Sequence, residues 1–590
     1  MKKYKNLISA ISLIAGLLMH INIHAQKSIP ISRAELSAQI KAYVEQEMSQ
    51  RKIVGLSVAV VDTEGVLLSD GFGFADKGKN ILADKETIFP IASITKTFTG
   101  IAIMQLVEQG LIELDKPIGG YINELSLPSG EERVITTRML LTHHSGLHGD
   151  ILYHWYLPAV SKNPLVHEQI VDLINETGTI FTPGKLHSYC NVGYSLLGIL
   201  IHKVSGEPYV DYIRSHILSP LGMDHTIVFA GENTDEVIAK GYDGKTSMDM
   251  PMILGIPAGG MAISSDDAAR YMRAIIHSYY GEGTLLKAQS MKQMMTQQNG
   301  EVPIDRGFSI GFTWFLQHPI GEYTKYASHR GESPPYHAML AILPEIRTGV
   351  FISTNTNKAA EAPDEMVHKI IEDLYEYHSG NTISKGRKSE RLTIDREQVK
   401  QYEGIYQNVY FGPMEVKVRK RKLVIKSSAI PIPLTLAPYT KTTYSVKAQL
   451  FGVIPISNKT LDALRVEFRE IDGEKFLFFH IQNSIINPNL RIEPYEIPPA
   501  YKNYIGKYNV TNMENSDRVA KRVRIKKSRH FYVLQYTFLG RHKFNLAIRP
   551  VDNQNARLAG IGPFMGEKIG WETSGDKLIM RWSGLVLEKE

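Results

Sequence analysis

Phe89-Pro90-Ile91-Ala92-Ser93-Ile94-Thr95-Lys96-Thr97-Phe98 is the stretch from which the rest of the chain is read. It runs into Ile101-Ala102-Ile103-Met104-Gln105-Leu106-Val107 and closes at Gly110. The pattern predicts a helix that is apolar on most faces, hence buried, with Gly110 as its terminator. Ser93 and Lys96 stand three apart, which puts them on one face of a helix. The lysine amine can then approach the serine hydroxyl. A serine hydroxyl is a weak nucleophile without a base, and a lysine serves as that base if desolvation or a cationic neighbour lowers its pKa. At a helix start the serine N–H also faces a developing oxyanion. Alone, serine-x-x-lysine is a weak pattern, whose bland explanation is a capping serine beside a surface lysine. The apolar helix argues against that explanation, because a lysine in the first turn of a buried helix demands a reason.

Two further patches carry matching chemistry. Pro183-Gly184 leads into His187-Ser188-Tyr189-Cys190-Asn191, followed by the helix-like run Leu196-Leu197-Gly198-Ile199-Leu200-Ile201. Tyr189 and Asn191, two apart in a loop, can point into one cleft. A phenolate relays protons, and an amide holds an amine and a substrate carbonyl. A tyrosine packed under the helix and an asparagine capping it are the plain alternative. The third patch is Ser328-His329-Arg330-Gly331-Glu332. Strand candidates follow at Met339 to Leu343 and Gly349 to Ser353, and Val58 to Val61 and Val66 to Leu68 supply N-terminal ones. An edge strand beside the nucleophile could supply a second oxyanion N–H, and Gly331 would allow close backbone approach.

The chain has 590 residues, 43% hydrophobic and 22% charged. That length suggests two to four domains at about 150 residues each, and the composition excludes a disordered or disulfide-stapled chain. The single cysteine, Cys190, permits no intramolecular disulfide and reads as a packed thiol. Sixty-seven cationic against 61 acidic residues leave +6, too little for this size to argue for nucleic acid. Residues 1–25 read as a cleavable secretory signal: Lys2, Lys3 and Lys5, then an apolar run from Leu7 to Met19, with Ala25 before the cut. That run is shorter than the ~20 apolar residues of a bilayer span. A periplasmic or secreted protein is therefore expected, with no membrane span in the mature chain.

Residues 30–380 alternate helical patterns with short strands, 381–391 form a polar basic linker, and strand patterns dominate 392–495 and 496–590. Tyr402-Glu403-Gly404-Ile405-Tyr406 is echoed 102 residues later by Tyr504-Ile505-Gly506-Lys507-Tyr508. Each is followed by a basic alternating segment, Glu415 to Val418 and Val523 to Lys526. This predicts two small antiparallel β-barrel-like domains, since closure removes exposed edges. The run Arg419-Lys420-Arg421-Lys422 lies between two strand-like segments and reads as a solvated hairpin turn. His143, His144 and His148 lack an H-E-x-x-H pattern, so a metal site is disfavoured. No G-x-S-x-G is present for an α/β-hydrolase elbow.

Taken in order, these segments resemble the serine β-lactamase and penicillin-binding-protein superfamily. More narrowly, they resemble its class C β-lactamase-related branch of D,D-carboxypeptidases, D-aminopeptidases and esterases. The resemblance covers roughly residues 35 to 378 and includes Glu113 to Pro117, Leu140 to Leu147, Pro220 to Met223 and Pro257 to Met261. It implies an α/β (α+β) catalytic domain, an antiparallel sheet flanked by helices with an all-helical lobe holding Tyr189. It implies Ser93 as the acylated nucleophile, Lys96 as its base partner, Tyr189 as proton relay and Asn191 as substrate-holding amide. His329 and Gly331 match the third motif, and the N–H groups of Ser93 and Glu332 would form the oxyanion pair. No metal or organic cofactor is expected, and the expected partner is a small or peptide substrate, peptidoglycan-derived ones included. Some D-aminopeptidase-like relatives carry two β-barrels after the catalytic domain, which fits the repeat.

Two departures matter. His329 stands where many relatives have a lysine, and a neutral histidine holds an anion less firmly. Glu332 follows Gly331 where small residues are common; its carboxylate either meets substrate or points outward. The expected activity is hydrolysis of small amides, esters or D-amino acid peptides. A β-lactamase proper and a non-catalytic cell-wall-peptide binder stay open as alternatives.

Overall fold

The computed structural model describes residues 31–590 except 129, 150–166, 229–236, 249–254, 321–323, 381–398, 409–411, 420–421, 428–431, 441–442, 451–453, 457–460, 462–463, 482–483, 514–519, 529–530, 539–541 and 561–564. The signal and linker readings fall outside these residues. Helix α1 (Arg33–Arg51) opens with a capping box, in which the Ser32 hydroxyl accepts from the Glu35 N–H and the Glu35 side chain accepts from the Ser32 N–H. Strands β1 (Gly55–Asp62), β2 (Gly65–Asp76), β3 (Ile81–Leu82) and β4 (Phe89–Pro90) follow. Helices α2 (Thr95–Glu108), α3 (Thr137–Leu141), α4 (His167–Thr177) and α5 (Asn191–Ser205) build a helical lobe. Strand β5 (Ala262–Ile263) pairs with β4 in a small separate sheet, helix α6 (Ser265–Tyr280) follows, and β6 (Phe315–Ile320), β7 (Thr324–Ser333), β8 (Tyr336–Leu343), β9 (Thr348–Thr354) and α7 (Ala362–Ser379) complete the domain.

The seven-stranded sheet has the order β3-β2-β1-β9-β8-β7-β6 and is antiparallel throughout. It is built from both ends of the region, with Val58 opposite Ile352. The period of two sends successive side chains to opposite faces. Leu56, Val58 and Val60 join a core with Leu36, Ile40 and Val44 of α1 and Met366, Ile370 and Leu374 of α7. Ala59 and Val61 join the other core with Phe98 of α2 and Met272 and Ile275 of α6. Both faces are covered, which is why β1 reads as an unbroken apolar run.

One expectation needs correcting. Strand β7 is not the sheet's last strand, because β6 lies outside it. The pairing of β6 stops at Phe315 opposite Ser328, however, and no other described strand pairs with the outer side of residues 329–333. The stretch that carries the third motif therefore still presents an open edge.

The 102-residue repeat is structural. The first copy closes eight strands: 404–408, 412–419, 422–427, 434–438, 443–450, 464–471, 474–481 and 484–492, with 454–456 appended to 443–450. The second closes another eight between Gly506 and Lys589. The echoed segments form the first strand of each barrel, and the basic alternating segments the second. Each copy repeats one hydrogen bond: Tyr406 OH donates to Tyr402 O at 3.1 Å, and Tyr508 OH to Tyr504 O at 2.7 Å. Arg419 and Lys422, the two ends of the basic run, are register partners on adjacent strands, and residues 420–421 between them lie outside the described residues.

Candidate active site

Ser93 stands in a 3-10 turn, Ala92–Ile94, that runs straight into α2. Ala92 has φ +44°, a left-handed conformation that costs a non-glycine residue about 1–3 kcal/mol. The surroundings hold it there. The Ile91 N–H donates to Met261 O at 3.0 Å, the Met261 N–H donates to Thr95 Oγ1 at 3.1 Å, and that hydroxyl donates to Ala92 O at 2.6 Å.

Lys96 lies in the first turn of α2 and is wholly buried. Its Nζ donates to Ser93 Oγ at 3.1 Å and to the Ala258 carbonyl at 2.5 Å. The same atom lies 4.8 Å from the ring centroid of Tyr189 and 5.3 Å from that of Tyr194. Ring faces are electron-rich and attract a cation. Tyr194 is fixed by its hydroxyl, which donates to Leu141 O at 2.9 Å.

Tyr189 lies in the turn before α5, with its ring against that of His143, centroids 4.3 Å apart. The rings of Phe315 and His329 stand 6.4 Å away. Backbone contacts fix this turn. The Ser188 N–H donates to His143 O at 2.8 Å, and the Cys190 N–H donates to His143 Nδ1 at 3.0 Å. The Cys190 thiol is packed and caps α5: its Sγ accepts from the Gly193 N–H at 3.1 Å and donates to His148 O at 2.9 Å. Asn191 is the first residue of α5, is buried, and donates its N–H to Gly149 O at 2.7 Å. Helix α5 packs on α2, which brings the second patch to Ser93 and Lys96.

The third patch closes the site. His329 is buried, and its Nδ1 lies 2.8 Å from Arg330 O. Burial first, and the charge of Lys96 second, push its pKa down to about 3, so the ring is neutral at pH 7. A Cβ on Gly331 would stand 2.1 Å from Ile91 O, so only glycine lets β7 lie this close to the backbone leading into Ser93. Glu332 shares a strand face with Arg330, opposite His329 and Gly331. Its carboxylate is exposed, 3.9 Å from Arg330 Nη2, while Arg330 donates to Ala360 O at 2.8 Å beside the start of α7. This geometry matches the outward-pointing reading of the Glu332 side chain.

Sequence reading missed three contributors: His143 as the platform for Tyr189, Tyr194 beside Lys96, and the Ala258 carbonyl. All lie in segments singled out for other reasons, Leu140 to Leu147, Tyr189 to Tyr194, and Pro257 to Met261. The other histidines of the 143–148 group face carboxylates. His144 Nε2 is 2.7 Å from Asp305 Oδ2, and His148 Nδ1 is 3.6 Å from Glu567 Oε1.

His187 is likewise pushed to about 3, chiefly by burial. In the unfolded chain these rings take a proton near 6.5; in the folded protein they do so only near 3. Their contribution to stability is therefore full above pH ~6.5 and is lost as pH falls, by up to about 1.4 kcal/mol per pH unit per histidine. Chemical denaturation at several pH values should show His329→Gln flattening this acid slope by about one proton between pH ~6 and ~4. An unchanged slope would mean that His329 is already protonated in the folded state.

A sequence profile of the β-lactamase family matches residues 40–373, more than half of the chain. Protein flp of Staphylococcus aureus (strain MRSA252) is 26% identical over 342 residues, covering 57% of this chain and 65% of that protein. The chain thus spans just under two thirds of these curated relatives. A putative penicillin-binding protein, PbpX, of Bacillus subtilis (strain 168) is 29% identical over 254 residues, covering 42% of this chain and 60% of that one. The structure of an octameric penicillin-binding protein homologue from Pyrococcus abyssi superposes with a TM-score of 0.51 at 26% identity, covering 77% of this chain and 99% of the other. With serine, lysine, tyrosine and histidine gathered in one place and the profile spanning the domain that holds them, the chain belongs to the β-lactamase family.

Proposed function

We propose that the protein is a serine hydrolase that forms an acyl-enzyme on Ser93. The observation that carries this reading is the buried Lys96 Nζ at 3.1 Å from Ser93 Oγ. Lys96 takes the serine proton as Oγ bonds to the substrate carbonyl carbon. The N–H groups of Ser93 and Glu332 stabilise the oxyanion. The carbonyl's bond to its leaving nitrogen or oxygen then breaks, and Tyr189 relays the proton held by Lys96 to that atom, which restores both groups. Water, deprotonated through the same groups, attacks the acyl carbon and returns Ser93. Asn191 orients Lys96 and the substrate carbonyl. No step calls on a metal or an organic cofactor.

The substrates we assign are small amides, esters and D-amino acid peptides, including those derived from peptidoglycan. The names of the Bacillus and Pyrococcus proteins support a penicillin-like or cell-wall-like ligand. The neutral His329 supports esters and amides over substrates that must be anchored by a carboxylate. We also read the protein as exported, on the strength of residues 1–25. Among the described residues, no helix is long and apolar enough to cross a membrane.

Intact mass of the protein after mixing with a penicillin, followed over time, should show one adduct on wild type and none on Ser93→Ala. A long-lived adduct indicates slow deacylation, and rapid loss with hydrolysed penicillin indicates a β-lactamase proper. If D-aminoacyl amides and esters are also left intact, the protein is a binder and the hydrolase reading fails. Gly331→Ala should fold, yet lose about 100-fold in acylation rate, because β7 must move away from Ile91. Acylation at the wild-type rate would show that β7 does not shape the reacting geometry.

A further inference from the structure

The segment that presents Tyr189 is gripped from outside by both barrels. On one side, Leu186 packs with Phe476 and Phe478 of the first barrel, and Lys185 Nζ donates to Glu474 at 2.7 Å. On the other side the second barrel approaches with Gly566 and Glu567. A Cβ on Gly566 would stand 2.7 Å from Ile180 Cβ, so barrel backbone is pressed directly onto the helical lobe.

Glu567 is the unusual residue at this contact. It is 2% exposed, and a buried carboxylate is costly unless several partners satisfy it. Trp582 Nε1 donates to it at 2.6 Å, and Ser583 Oγ at 3.3 Å, both from its own barrel. The third group facing it belongs to the catalytic domain: His148 Nδ1, 3.6 Å away, just beyond hydrogen-bond range, on a residue 3% exposed. His148 is one short backbone step from the chemistry. Its carbonyl accepts from the Cys190 thiol at 2.9 Å, and the next carbonyl, Gly149 O, accepts from the Asn191 N–H at 2.7 Å. Tyr189 adjoins the residues so held, and its ring packs on His143, which also anchors Cys190.

A barrel that merely tethered the enzyme elsewhere would need only a solvated or apolar seam. A desolvated carboxylate aimed at the residue that braces Tyr189 and Asn191 is a different device. We propose that Glu567 is a positioning residue, through which the second barrel fixes the Tyr189 turn by way of His148. The placement stands on geometry alone; its effect on rate rests on the reading of Tyr189 as the proton relay.

The test is made on the full chain. In Glu567→Ala, hydrogen exchange of the amides at 187–191 should quicken about tenfold or more, while those of 95–108 stay within about twofold. Acylation of Ser93 by a penicillin should slow about tenfold, with the half-saturating concentration nearly unchanged. In a Tyr189→Phe background the same substitution should add less than about twofold, since the two residues act through one turn. Glu567→Gln keeps the volume and the acceptor for Trp582 and should fall between wild type and Glu567→Ala. If Glu567→Ala fails to fold, Glu567→Gln is carried through the same cycle. Unchanged exchange at 187–191, or equal losses with and without the Tyr189 hydroxyl, would overturn the proposal. A wild type that no probe acylates would sink the hydrolase reading instead, and exchange would still decide the positioning claim.

Discussion

The side chain of Lys96 has no exposure to solvent, and the rest of the site is arranged around that fact. An amine taken out of water needs partners, and among them here are Ser93 Oγ, one backbone carbonyl and two aromatic faces. They come from three parts of the chain. Ser93 is three residues away, Tyr189 and Tyr194 flank the start of α5, and Ala258 lies before β5. The same constraint thus orders the helical lobe around Ser93.

The layers of the catalytic domain serve this arrangement. Helix α2 is apolar all round because the sheet covers one side and the helical lobe the other. Strand β7 lies against Ile91 through a glycine with no room for a side chain. The strained Ala92 is held by a ring of three hydrogen bonds that runs through Met261 and Thr95. The barrels then close on the lobe from outside, so their packing bears on the turn that carries Tyr189.

Much of this was legible in the sequence because it is written in local patterns. The serine–lysine spacing, the short apolar runs of β1 and β9 and the Tyr-x-Gly-x-Tyr echo each encode an element within a few residues. The outward face of Glu332 was also available, since it shares strand parity with Arg330 rather than with His329. Other features left no local trace. Strand β6 is short and joins the sheet through a shifted register, so β7 read as an edge. An alanine at positive φ carries no compositional mark. The pairing of Glu567 with His148 joins residues in different domains, and nothing near either one announces the other.

The central claim is that Lys96 is buried for the sake of Ser93. The most direct test is the acylation rate of Ser93→acyl formation in Lys96→Met, measured beside the stability of the same variant. The account predicts a loss of about 10²–10⁴-fold in acylation with stability held or raised, since an apolar chain of similar length replaces a buried amine. Acylation at the wild-type rate in a folded Lys96→Met protein would contradict it.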